Sequence, residues 1–365
     1  MEIVIRKETP ADYRETEAMV RRSFFNKHRP RCDEHYMVHI MRGDPLYLPE
    51  ISRVAEADGH IVGGIFWFRA QIDTGASRID VASFGPLCAE HRYKNRGVGA
   101  KLLEETLPLA KAAGFPGVLI MGEPGYYPKR GFERAATFGL TDAEGNVYDP
   151  FMGIEFVPGA LHIPGGRFLE PEHLCSFPED AVRAFDEEFE PLLSAYRPCQ
   201  WTYDNASDEK NGYHTAYAVE RPRAFEELYR EYRAELAADD AEERIHAIRD
   251  DVNKAAYIIR ADGENAGLLV TAVAAAGDPD GCGAFLQDIC LRLGFRKRGI
   301  AKDIFLRFLR QQKEDTGFCV SNGSGTWPMW KALLDRAGYR YTVSAENGGV
   351  FCRVYTKEKN GGTEQ

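Results

Sequence analysis

Apolar and polar positions along this 365-residue chain change period many times, and the changes come twice in the same order. In the first half, "IVIR" reads as a short strand. "TPADYRETEAMVRRSF" reads as a helix opening near Thr9-Pro10, because proline suits a first helical turn. "RVAEADGHIVGGIFWFRAQI" reads as two strands hinged at Asp58-Gly59, a hairpin signal. A further strand, "IDVASFGPLCA", leads into "HRYKNRGVGAKLL". After it Val98, Leu102, Leu103, Leu107 and Ala110 recur at helical spacing, with Pro108 expected to kink the helix late. "GVLIM" is the next strand, followed by "YYPKRGF".

The second half restates this. "TAYAVERPRAFEELYREYRAEL" answers the first strand and helix, and "AYIIRADGENAGLLVTA" answers the hairpin. "AFLQDICLRLGF" leads to the turn "RKRGIA", whose helix carries Ile300, Ile304 and Phe308 four apart; "GFCVS" then precedes "LLDRAGYRYTV". Gly59/Gly263, Gly97/Gly299 and Gly131/Gly338 are separated by 204, 202 and 207 residues, an ordered set that points to an internal duplication. The expected organisation is a first domain over 1–160 and an acidic, Pro/Gly-containing connector over 161–212. A second domain over 213–358 and a frayed tail over 359–365 complete it. Each domain is expected to be α/β, a twisted mixed sheet flanked by helices.

Composition narrows the class. At 44% apolar and 12% aromatic, the chain can build two cores without disulfides, and its eight cysteines form no C-x-x-C pair, so reduced thiols and a cytoplasmic location are expected. Neither a signal peptide nor a membrane span is expected, since no apolar run approaches ~20 residues. Net charge is −10, and residues 151–250 hold 10 Lys and Arg against 22 Asp and Glu, so no nucleic-acid partner is expected. The acidic stretch reads either as a solvated connector with a charged helix or as a field attracting cationic amines.

The two glycine turns carry the candidate chemistry. A strand running into a helix whose first N–H groups are free makes an anion site, and Lys94, Arg96, Arg296, Lys297 and Arg298 add charge there. Gly97 and Gly99, and Gly299 with Ala301, are expected to let phosphate approach the backbone. Neither turn is a Walker A loop, which needs Lys-Ser/Thr after the glycine. Nor is the first a Rossmann fingerprint, since Leu102 stands where the third glycine belongs.

The spacing R/Q-x-x-G-x-G/A resembles motif A of the GNAT superfamily of acetyl-CoA-dependent N-acetyltransferases. "RKRGIA" fits every fixed position, and "KNRGVG" departs only at Lys94. "YYPKRGF" resembles the family's later Tyr-x-x-x-Gly-Phe element, with Tyr127 in the general-acid position, whereas "LLDRAGY" has Leu334 there. The resemblance implies two tandem GNAT-like domains and direct acetyl transfer from acetyl-CoA to a primary amine, with no metal. Pyrophosphate would lie on Lys94, Asn95, Arg96, Gly97, Val98, Gly99 and Ala100. In the second half it would lie on Arg296, Lys297, Arg298, Gly299, Ile300 and Ala301. Pantetheine would pair with Leu87, Cys88 and Ala89, or with Ile289, Cys290 and Leu291, as an added strand.

Tyr127 is then either a proton donor to the departing thiolate or a core aromatic, and Glu123 either a base or a solvated carboxylate. Asp33, Glu34 and His35 are candidate acceptor contacts. Cys32, His35 and His39 lack an evident fourth ligand for zinc. The alternative class is a non-catalytic acyl-CoA-binding sensor or assembly module. The acceptor, acyl length and oligomeric state stay open.

Overall fold

The computed structural model describes residues 2–192, 194, 200, 212–218, 222–251, 253–274, 281–321, 325–346, 349–356 and 358. The expected tail 359–365 and residues 201–211 of the connector lie outside the described residues. The chain divides into two compact units, Met1–Ser23 with Asp33–Phe189, and Phe24–Cys32 with Glu190–Gln365.

In the first unit β1 (Val4–Arg6) leads through a 3-10 turn at Pro10–Asp12 into α1 (Tyr13–Phe24), followed by α2 (Glu34–Met41). The hairpin of β2 (Arg53–Ala57) and β3 (His60–Asp73) turns on Asp58 (φ 52°) and Gly59 (φ 80°). Two successive left-handed residues match the right-handed strand twist, which is why Asp-Gly works there. Then come β4 (Arg78–Ala89), α3 (Val98–Ala112), β5 (Gly117–Met121), β6 (Glu133–Arg134) and β7 (Phe151–Glu155). α3 includes Pro108 and continues to Ala112.

The first sheet runs β1-β2-β3-β4-β5-β7-β6. Its strand β3 is buried at every position from Ile61 to Phe68 instead of alternately, because both faces of the central sheet are covered. Trp67, Phe84, Leu102, Val118 and Phe132 share its core with the inward face of α3.

Residues 161–189, expected as connector, add to this unit. β8 (Arg167–Leu169) pairs with Gln71–Asp73 of β3, and α4 (Glu172–Cys175) and α5 (Glu179–Asp186) follow. Phe185 supplies the reason: its ring lies against His35, Tyr36 and His39 of α2, apolar contact that a solvated linker would forgo.

The second unit has β9 (Tyr213–Tyr217), α6 (Pro222–Glu235), α7 (Ala241–Asp250), β10 (Lys254–Ala261) and β11 (Glu264–Val273). β12 (Ala284–Leu291), α8 (Ile300–Gln311), β13 (Thr316–Ser321), α9 (Trp327–Ala337), β14 (Tyr341–Glu346) and β15 (Gly349–Val354) complete it. Its sheet, read from β9, runs β9-β10-β11-β12-β13-β15-β14, the same order as the first. In both sheets the one parallel pair on this path sits at the same place, β4 with β5 and β12 with β13. The β10–β11 hairpin also turns on left-handed Asp262 and Gly263. Trp330 and Leu334 of α9 pack with Phe305 and Phe308 of α8 in the core.

Candidate active site

The site begins where two parallel strands part. β4 and β5 are in register only at Ala82 and Val118, whereas β4 stays paired with β3 as far as Ala89 opposite Gly63. From Phe84 to Ala89, β4 therefore has no β5 partner, and alternate backbone groups of Leu87–Ala89 face a gap. β12 parts from β13 in the same manner: pairing covers Ala284–Leu286 and stops before Ile289, Cys290 and Leu291. Cys88 is buried, as a strand residue. Burial pushes the Cys290 thiol up to about 11, so it offers no ready thiolate.

Beyond each gap lies the glycine turn, and the two turns share one backbone conformation. A 3-10 turn at His91–Tyr93 is followed by Asn95 (φ 61°) and Gly97 (φ 85°), the residue that opens α3. A 3-10 turn at Leu293–Phe295 is followed by Lys297 (φ 63°) and Gly299 (φ 84°), which opens α8. Neither helix has a side-chain cap, and the first helical bonds are Lys101 N–H to the Gly97 carbonyl and Asp303 N–H to that of Gly299. The N–H groups of Val98, Gly99 and Ala100, and of Ile300 and Ala301, are left to an anion at the positive helix end.

Side chains separate the turns. Arg96 is exposed beside the Tyr93 ring and makes no ion pair among the described residues. In the second turn Arg296 pairs with Glu235 of α6 and donates to the Leu291 carbonyl at 2.6 Å. Arg298 pairs with Asp262 at 2.7 Å.

Tyr127 opens a 3-10 turn at Pro128–Arg130 that closes on left-handed Gly131. Its ring is edge-on to Phe132 at 5.3 Å and lies 6.0 Å from Phe84, at the start of the β4 gap. A Cβ on Gly122 would collide with this ring, so that glycine at the end of β5 makes room for the tyrosine. Burial pushes the Tyr127 phenol well above its ordinary pKa, with Tyr126 and Glu123 raising it further. It stays protonated at neutral pH and keeps a proton to donate. Its hydroxyl makes no hydrogen bond among the described residues. Glu123 is exposed next to it, accepting from Gly125 N–H at 3.3 Å while its carbonyl accepts from Tyr126 and Tyr127. In α9 the corresponding Leu334 is fully buried and apolar.

Two features differ from expectation. The Tyr126 hydroxyl stands 2.5 Å from where a Cβ on Gly99 would be, so the space the missing Cβ leaves is filled by this tyrosine. Arg130 lies over the Tyr126 ring at 3.5 Å and donates to its carbonyl at 2.7 Å, clamping the ring. Tyr126 and Arg130 are thus neighbours of the α3 N-terminus that the motif did not single out; the adjacent tyrosine pair in "YYPKR" was the available signal.

The other correction concerns His35, which is fully buried on α2 and stacks on Phe185 at 5.4 Å. Its Nε2 is 3.3 Å from Asp186, whose carboxylate also receives Arg21 Nε at 2.6 Å. Although burial pushes Asp186 up, His35 and Arg21 hold it well below the carboxylate range. His35 therefore ties α5 to α2 and cannot touch an acceptor. Asp33 and Glu34, at the start of the same helix, are half-buried. Among the described residues no group of three or more His, Cys, Asp or Glu could hold a metal, and no helix is long and apolar enough to cross a membrane.

No protein-family profile matches the chain. Over 176 residues it is 27% identical to the uncharacterised N-acetyltransferase YhbS of Escherichia coli K12, covering 48% of this chain and 100% of that protein. The crystal structure of E. coli YhbS, a GNAT family N-acetyltransferase in complex with CoA, is similar at 25% identity and TM-score 0.43, covering 49% of this chain and 94% of that one. A GNAT family acetyltransferase from Brucella melitensis in complex with acetyl-CoA is similar at 24% identity and TM-score 0.38, covering 48% and 99%. The sequence similarity across the whole of YhbS supports an N-acetyltransferase enzyme.

Proposed function

We propose that this acetyl-CoA-dependent N-acetyltransferase carries its chemistry in the first unit and transfers acetyl directly to a primary amine. The observation that carries the assignment is Tyr127, a buried protonated phenol at the β4–β5 parting, against Leu334 at its counterpart. The duplicated strand order and the matched turns support tandem GNAT-like domains, with a boundary region within 161–212.

Acetyl-CoA would lie along Leu87–Ala89, its pyrophosphate on the N–H groups after Gly97, with Lys94, Asn95 and Arg96 around it. The acceptor nitrogen attacks the thioester carbon, a C–N bond forms and the C–S bond breaks. Tyr127 gives its proton to the departing sulfur, and the proton lost by nitrogen passes to water or to Glu123. Asp33 and Glu34 remain candidate acceptor contacts. In the second unit, the retained turn with Ile289–Leu291 and Arg296–Ala301 supports acyl-CoA binding without turnover.

A cationic acceptor is supported by the net charge of −10. Much of the acidic stretch, however, already faces arginine: Asp186 with Arg21, Glu242 with Arg230, Asp240 with Arg233. Release of free thiol from acetyl-CoA, measured across polyamines, aminoglycosides, lysine peptides and neutral amines, tests both parts. The expected result is turnover with cationic amines, with kcat/KM falling as salt shortens the Debye length from ~10 Å to ~3 Å. Binding of acetyl-CoA with no thiol release on any amine would leave a sensor in place of an enzyme.

A further inference from the structure

The second unit contains a cavity of about 390 Å³ between α6, α7 and the sheet, near where β12 leaves β13. Such a volume falls in the range of small-molecule sites, ~300–1,000 Å³. Phe285 and Phe351, ring centroids 6.5 Å apart, give it an apolar wall. Its charged residues are opposed in sign, Asp288 against Arg244 and Lys254, with Tyr229 and Gln287 also on the lining.

Asp288 has no reason to be there on packing grounds. It answers Pro86 of the first unit at the 202-residue offset, so the second copy has a buried carboxylate where the first has an apolar ring. Its exposure is 8%, and Tyr229 Oη donates to it at 3.0 Å. Tyr232 lies near enough to feel its charge. Burial and the Asp288 charge both keep these phenols protonated. A carboxylate has about four lone-pair sites, so the Tyr229 phenol leaves room for a further donor from the cavity. A buried charge is costly unless it is paired, and an ammonium group would pair it.

Arg244 supplies the opposite pole. Its Nε donates to Asp240 at 2.6 Å, and its two Nη groups make no hydrogen bond among the described residues. That leaves one edge of the guanidinium for a carboxylate, the geometry in which arginine binds most strongly. Asp288 and Arg244 line the same cavity, so both poles face one ligand.

We infer that this cavity binds a free α-amino acid with an apolar side chain. The ammonium sits on Asp288, the carboxylate on Arg244, and the side chain lies against Phe285 and Phe351. This site is independent of the acetyl transfer assigned to the first unit and holds whether or not that transfer occurs.

Calorimetry on the full chain with L-phenylalanine, L-leucine, L-methionine and L-tyrosine tests it. At least one should bind. For the best of them, the analogue lacking the amine and the analogue lacking the carboxylate should each bind about tenfold more weakly or worse, as for a lost charged hydrogen bond. Asp288→Asn and Arg244→Gln should each cause a similar loss, and Tyr127→Phe should cause none. Arg244 is half exposed, so its variant tests the site even if Asp288→Asn fails to fold. The inference is overturned if no amino acid of the four binds, if the truncated analogues bind equally, or if a folded Asp288→Asn or Arg244→Gln protein binds as the parent does.

Discussion

The two glycine turns agree in backbone and disagree in side chain. Asn95 and Lys297, different in charge and shape, both adopt left-handed φ near 60°, and Gly97 and Gly299 match within a degree (85° and 84°). Around this common loop the first unit has an exposed Arg96 and a phenol at Tyr127. The second has Arg296 and Arg298 drawn onto Glu235 and Asp262, with Leu334 in the core. The difference teaches which property resides where. Anion binding by N–H groups depends on φ and ψ, and survives substitution of every side chain that can hold those angles. Proton transfer depends on one hydroxyl and is lost with it.

The strongest way to break this contrast is Tyr127→Phe. The ring keeps its contacts with Phe84 and Phe132 and loses only the donor. Steady-state kinetics should show kcat reduced by about 10²-fold, within the span of general acids, with kcat/KM reduced in parallel. Calorimetry should show acetyl-CoA affinity unchanged. Because burial raises this phenol above its ordinary pKa of ~10, no alkaline loss of rate up to that pH should come from its ionisation. Wild-type kcat in the variant would return Tyr127 to a purely packing role and move the chemistry elsewhere.

Next comes the paired substitution Gly97→Ala and Gly299→Ala. Neither Cβ would meet an atom within 4 Å, so each change acts through the left-handed φ alone. Left-handed geometry costs an L-residue ~1–2 kcal/mol, which is enough to rotate the first N–H groups away from phosphate. Gly97→Ala should raise the KM for acetyl-CoA about tenfold. Gly299→Ala should leave turnover alone and remove a second binding event seen by calorimetry. A reversed pattern would assign the chemistry to the second unit.

How much of this the sequence revealed follows from the range of the interactions. The hairpins at Asp58-Gly59 and Asp262-Gly263, the strand-to-helix turns and the repeat are local: a few residues fix each, so they were legible. The docking of 161–189 onto the first unit was not, because the composition of that stretch is polar and its anchors are single residues. Phe185 and Asp186 reveal themselves only once α2 and α1 present His35 and Arg21 to them. His35 looked like an acceptor ligand for the same reason, since nothing in "CDEHY" tells that its ring is covered. The cavity at Asp288 needed α6 and α7 placed against β12, contacts that span some 60 residues in the case of Tyr229.

Tyr126 sets the smallest and most specific test. Motif A accepts glycine or alanine at its last position, and the second turn has Ala301 there. In the first turn the Tyr126 hydroxyl stands 2.5 Å from the Cβ site of Gly99, inside any permissible contact. Gly99→Ala should therefore push Tyr126 aside. Arg130, stacked on that ring at 3.5 Å, must move with it. Since Tyr127 is the next residue, its ring would shift as well, and kcat should fall by about threefold to tenfold, the scale on which small misplacements act. Tyr126→Phe removes only the obstructing oxygen, and the double variant Gly99→Ala/Tyr126→Phe should recover most of the lost rate. If Gly99→Ala instead raises only the KM for acetyl-CoA, and Tyr126→Phe does not rescue it, then the glycine serves phosphate directly after all. In that case the two turns differ less than their side chains suggest.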